Sequence, residues 1–222
     1  HPLPQDFAIE LAQIEGSEYS VDARCVDALN RMMAHCWWEG NRPVVCSAYR
    51  TQQTQEWLFS QEVAKWLAMG LSQADAEREA AQETAVPGTS EHQAGLSVDI
   101  IDANYDKLNE HQASMPAQKW LMEHCWEYGF ILRYPSDKEA VTGIVYEPWH
   151  YRYVGLQAAR TIHEQGLCLE EYLQKQAEYQ SAVSWAIKQG ITASESLDAF
   201  APYDTCTRAQ LVTFLHQALG EN

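Results

Sequence analysis

The chain has 222 residues, 46% of them hydrophobic, with 31 acidic against 15 basic side chains and a formal net charge of −16. That length holds one medium domain and a small appendage, and the apolar fraction excludes a disordered chain. The charge argues against nucleic acid and anionic membrane surfaces as partners, since both would be repelled, and no apolar run reaches the length of a membrane helix.

In chain order, residues 1–19 are a mixed lead-in with two prolines, and His1-Pro2-Leu3-Pro4 reads as a trimmed start, either of a mature chain or of one cut artificially. Val26, Leu29, Met32, Met33 and Cys36 recur at helical spacing, with Ser20 or Asp22 as the cap and Gly40 as the stop. Residues 43–49, Pro-Val-Val-Cys-Ser-Ala-Tyr, read as a buried strand with Arg50 at its end. Residues 51–84 are helical, broken at Gly70 and restarted by Ser72-x-x-Asp75 as a capping box. Pro87-Gly88 ends that stretch.

Next comes Ser90-Glu91-His92-Gln93-Ala94-Gly95-Leu96-Ser97-Val98-Asp99, with residues 96–101 reading as a strand. His92 and Asp99, seven positions apart, would point to opposite faces of an unbroken strand. They can meet one metal only if the backbone turns, and Gly95 tolerates such a turn. An Asp inside this apolar run also needs a cation as its partner. Asp102, Asn104 and Asp106 are expected as turn residues, because the glycine and glutamate of a calcium loop are missing. Pro116 opens a helix carrying His124 among apolar residues, which reads as a packing histidine. Residues 129–134 are expected to form a strand, with residues 142–146 as its hairpin partner delivering Glu147. Pro148 keeps Glu147 extended. Tyr151 to Val154 should continue as an edge segment, followed by a helix over residues 158–179 that breaks near Gly166.

His92, Asp99 and His150 supply the three protein ligands of a catalytic zinc, with a fourth position for water. Glu147 then remains as a base. Glu91 would add a further negative charge beside Asp99 and Glu147. The six cysteines, Cys25, Cys36, Cys46, Cys125, Cys168 and Cys206, include no Cys-x-x-Cys pair, so a zinc knuckle is not expected. Free thiols are expected ahead of bridges, and a catalytic cysteine is not needed.

The motifs Ser47-Ala48-Tyr49-Arg50, Ser90-x-His92-x-x-Gly95-x-x-x-Asp99 and Glu147-Pro148-Trp149-His150 resemble those of VanY-like D-alanyl-D-alanine carboxypeptidases, zinc peptidases of the bacterial cell wall. The resemblance runs from about Val21 to Gly155, with Ala48 in place of the usual glycine and Ser97 in place of the usual alanine. Ser97 is expected on the Asp99 face, making a supporting hydrogen bond. The resemblance implies an α+β fold with a small, mainly antiparallel sheet and flanking helices. It implies Zn2+ as cofactor, peptidoglycan stem peptides as substrate and a secreted or wall-associated place in a bacterium. It assigns catalysis to Glu147 and Arg50 and substrate contacts to Ser90 and Gln55. An L,D-carboxypeptidase acting on tetrapeptide stems, and a noncatalytic wall-binding protein on the same fold, are the rival readings.

The tail reads as a short helix over residues 182–191, a turn at Phe200-Ala201-Pro202-Tyr203-Asp204 and a second helix from Thr207. This pattern is similar to one S-layer homology repeat, which implies binding to cell-wall polysaccharide. The alternative is a helical pair with no binding role. The expected division is a catalytic domain at 1–176 and a repeat at 177–222.

Overall fold

The computed structural model describes residues 2–4 and 7–189. The chain divides into two compact units, 1–169 and 170–222. Most of the repeat-like stretch, residues 190–222, lies outside the described residues, as does Cys206.

A two-stranded antiparallel ribbon, β1 (Leu11–Gln13) with β2 (Ser20–Asp22), leads into α1 (Ala23–Trp38). Asp22 caps that helix by accepting from the Arg24 amide at 2.8 Å. Cys25, Ala28, Leu29, Met32 and Cys36 share its buried face at helical spacing. Strand β3 (Pro43–Ser47) is followed by α2 (Gln52–Ala68) and α3 (Gln73–Glu83), capped by Thr51 and Ser72 respectively. Then come β4 (Ser97–Asp102), α4 (Pro116–His124), β5 (Phe130–Leu132), α5 (Glu139–Thr142), β6 (His150–Tyr153) and α6 (Leu156–Gln165). The second unit's described part is nearly all α7 (Leu169–Lys188).

Strands β3, β4, β6 and β5 form, in that order, one antiparallel sheet. Alternation along its two central strands divides the residues between its faces. Val98, Ile100 and Tyr151 point to the core, which they share with Leu29 and Met32 of α1 and Leu121 of α4. Ser97 and Asp99 of β4 pair with Arg152 and His150 of β6, which puts all four on the other face. The sheet therefore has one apolar face under helices and one face carrying polar chemistry. This is the α+β architecture expected from the sequence.

Three local expectations are corrected. Residues 142–146 form no strand: Thr142 ends the short helix α5, and Gly143 turns there at φ 72°. The partner of β5 is instead β6, reached through a loop that carries Glu147. Residues 150–153 are not an edge, because β6 is hydrogen-bonded on both sides. Finally, α7 runs unbroken past residue 182, since neither glycine nor proline occurs between Leu169 and Lys188 to stop it. Gly166, at φ 61°, does end α6.

Candidate metal centre and active site

His92 lies in a single 3-10 turn, Glu91–Ala94, which closes on Gly95 in the left-handed region at φ 66°. The chain reverses there before β4 starts, so His92 folds back over the strand that carries Asp99. His150 is the direct antiparallel partner of Asp99. These three side chains are buried, and one ligand atom from each lies within 4.8 Å of the others.

The orientation of each ring follows from its other nitrogen. His92 Nδ1 is 2.8 Å from the Ala48 carbonyl, which can only accept, so Nδ1 carries the proton. The lone pair on Nε2 then faces Asp99 Oδ2 at 3.3 Å. His150 Nδ1 faces Asp99 Oδ1 at 3.1 Å and Glu147 Oε2 at 3.6 Å. Two imidazole nitrogens thus converge on one carboxylate, with Glu147 beside them.

Burial disfavours charge at this spot, yet three carboxylates gather around it: Glu91, Asp99 and Glu147. Burial pushes the Glu147 carboxyl up to about 7, helped by Asp99 and Glu91 and opposed by His150 and Arg50. Burial would lower His150, but its hydrogen bond to Asp99 and the facing carboxylates of Glu91 and Glu147 outweigh it and hold the imidazole above its ordinary value. Asp99 is held well below the usual carboxylate range, since the charges and hydrogen bonds of His92 and His150 overcome its burial. The pocket calls for a cation. Two imidazoles and a carboxylate are the donor set that suits zinc, so the residues fit that metal.

Arg50 stands at the end of β3. Its Nη2 donates to Asp99 Oδ2 at 2.8 Å and to Ser47 Oγ at 2.8 Å, and its Nε donates to the same hydroxyl at 3.0 Å. Nη1 has no hydrogen-bond partner among the described residues, and Arg50 lines a cleft of about 590 Å³ with His92, Asp99, Glu147 and His150. Ser90 is buried and lines the same cleft. Gln55 lies apart. Its side chain is fully buried, donates to the Ala85 carbonyl at 2.8 Å and is absent from the cleft wall. Leu58, Leu108, Ile144 and Val145 give the cleft an apolar flank.

The sequence assigned no site role to Arg133 or Arg152. Both reach Glu91 Oε1, at 2.7 and 3.0 Å. The signal for Arg152 was the alternation His150-Tyr151-Arg152-Tyr153, which places it on the His150 face. Ser97 donates to Glu91 Oε2 at 3.1 Å, so its supporting bond goes to the glutamate rather than to Asp99.

The family model for VanY, D-alanyl-D-alanine carboxypeptidase, matches residues 18–156. The chain belongs to the VanY family. A D-alanyl-D-alanine carboxypeptidase of Enterococcus faecalis is 44% identical over 173 residues, covering 78% of this chain and 62% of that protein. The chain thus spans less than two thirds of that relative's length. Among solved structures, a variant of the vancomycin-resistance D,D-pentapeptidase VanY in complex with Zn(II) is 42% identical with a TM-score of 0.69, covering 78% of this chain and 93% of that one. The LD-carboxypeptidase LdcB is 37% identical with a TM-score of 0.63, covering 78% of each chain. All the motif residues, from Ser47 to His150, fall inside the VanY match.

Proposed function

We propose that this VanY-family chain is a zinc-dependent D,D-carboxypeptidase that removes the terminal D-alanine from peptidoglycan stem peptides. The observation that carries the reading is the convergence of His92, Asp99 and His150 in a cleft that also holds Glu147 and Arg50. The Zn(II) complex of a VanY relative supports the choice of metal. Bound zinc supplies a water of lowered pKa and a Lewis acid for the scissile carbonyl.

In this reading, Glu147 is the base and not a ligand. Its carboxylate takes the proton of the attacking water and returns it to the leaving amine. Its high proton affinity suits it to hold that proton in a buried site. Arg50 holds Asp99 in place through Nη2 and keeps Nη1 for the substrate's terminal carboxylate or developing oxyanion. The cleft, about 590 Å³, exceeds what two alanines fill, which favours a longer stem peptide over a free dipeptide.

The LdcB likeness favours a second reading, an L,D-carboxypeptidase on tetrapeptide stems. The two share the site and differ in the residue accepted before the cut. The test is mass spectrometry of pentapeptide and tetrapeptide muropeptides after incubation, with and without a chelator. Loss of one D-alanine from the pentapeptide alone supports the D,D reading, and trimming of the tetrapeptide alone supports the L,D reading. No cleavage of either by zinc-loaded protein would support a noncatalytic wall-binding protein. For the tail, we propose a separate module at 177–222 that binds wall polysaccharide, supported by its repeat-like sequence pattern.

A further inference from the structure

Glu91 immediately precedes His92, yet its side chain turns to the sheet. Its two oxygens have different neighbours. Oε1 accepts from Arg133 Nε at 2.7 Å and lies 3.0 Å from Arg152 Nη1. Oε2 accepts from Ser97 Oγ at 3.1 Å and faces His150 Nε2 at 3.6 Å. That nitrogen is buried and makes no hydrogen bond among the described residues, the Glu91 contact being longer than one, so the carboxylate faces an unpartnered ring nitrogen. Its ring is also flanked by Tyr134, with centroids 5.0 Å apart, and by His92 at 4.9 Å.

We propose that Glu91 is a positioning residue for His150, and that Arg133 and Arg152 set how strongly it acts. A carboxylate facing Nε2 keeps the proton on that nitrogen and leaves the Nδ1 lone pair for the metal. The same contact stops the ring from flipping. An unshielded glutamate this close to Asp99 and Glu147 would add another negative charge to the cluster. The two arginines on Oε1 offset that charge while leaving Oε2 for the histidine. Ser97 matters here because its hydroxyl fixes Oε2; alanine at that position would leave the oxygen less constrained. The arrangement extends across three strands: Ser97 on β4, Arg152 on β6, and Arg133 just beyond β5.

This inference rests on the zinc reading of the site, and the test separates the two. Zinc Kd is measured on the full chain by competition with a chromophoric chelator, for wild type, Glu91→Gln and Arg152→Gln. Glu91→Gln is expected to weaken zinc binding by about 10–100-fold, the usual loss when a ligand histidine loses its carboxylate partner. Arg152→Gln leaves Glu91 with a stronger pull on His150, so zinc binding should stay equal or tighten. A role in fold maintenance alone would make both variants lose affinity together with thermal stability, and that result overturns the proposal, as does a wild-type Kd for Glu91→Gln. A second readout needs no variant. In zinc-loaded wild type, nitrogen NMR of His150 should show the proton on Nε2; a proton on Nδ1 overturns the assignment. If wild type takes up no zinc, the metal reading itself falls with it.

Discussion

Glu147 and His150 are three residues apart in one loop-to-strand segment, but their surroundings differ in a way that supports the separate tasks proposed for them. His150 is fixed between Asp99 and Glu91, while among the described residues Glu147 meets no basic side chain closer than the His150 ring at 3.6 Å. Removing the charge of Glu147 should therefore leave metal binding alone. Glu147→Gln is expected to keep a full complement of zinc and lose about 10²–10⁴-fold in turnover, the range for a positioned base. Zinc content and kcat measured on one preparation check this, and loss of zinc would show that Glu147 is a ligand. Arg50 invites a different measurement. Its fork bridges Ser47 and Asp99, and the residue lines the cleft. Lysine offers one point charge in place of the planar fork, so Arg50→Lys should not restore the rate. Amidating the peptide's C-terminus should lower kcat/KM for wild type by at least about tenfold, since a hydrogen bond to a charged group is worth about 1.5–3 kcal/mol. Equal cleavage of free and amidated peptides would make the enzyme an endopeptidase.

The elements around the site depend on one backbone position. Gly95 ends the 3-10 turn at φ 66°, and a Cβ there would collide with the Ile9 side chain and sit 3.0 Å from the Asp22 amide nitrogen. Gly95→Ala combines left-handed strain, about 1–3 kcal/mol, with that collision and should displace His92 from Asp99. Gly16, at φ 70° with nothing within 4 Å, is the matched control, since Gly16→Ala adds only the strain. Thermal melts with zinc titration should show the larger loss of both stability and zinc affinity at Gly95. This turn was legible in the sequence, because a strand alone could not bring residues 92 and 99 together and a glycine lay between them. The polar and apolar alternation in β4 was legible for the same local reason. The position of β6 was not. Residues 142–146 carry β-forming side chains and lie nearest to β5, whereas the true partner follows Pro148 and pairs on both edges. Pairing across a sheet is decided by tertiary contact, which local propensity does not encode. The same holds for Glu91, whose arginine partners lie 42 and 61 positions away.

At the scale of the whole molecule, buried thiols make stability depend on pH. Burial pushes Cys25, Cys36, Cys46 and Cys125 up to about 12. Unfolded thiols ionise near about 8.5, so the folded state binds more protons between the two values. The resulting stability is complete below about pH 8.5 and declines as pH rises toward about 12; Tm followed from pH 8 upward should fall accordingly. Flat Tm across that range would mean the thiols are not buried in solution. The division of the chain yields the last prediction. The sheet, the site residues from Ser47 to Arg152 and the VanY match, which ends at residue 156, all lie within the first unit. α6 also belongs there, since Ala159 and Ile162 are buried and His163 stacks on Trp126 with centroids 4.6 Å apart. A cut must therefore fall after α6. Ending the chain at Gln176, the proposed boundary, should leave zinc binding and cleavage of soluble muropeptides close to those of the full chain. If residues 177–222 bind wall polysaccharide, the shortened protein should instead lose retention on purified cell walls. Two numbers from one pair of proteins separate the readings. Unchanged catalysis with lost retention supports a wall-binding module, and unchanged catalysis with unchanged retention leaves a helical tail without that role. A shortened chain that fails to fold would make the tail part of the catalytic domain.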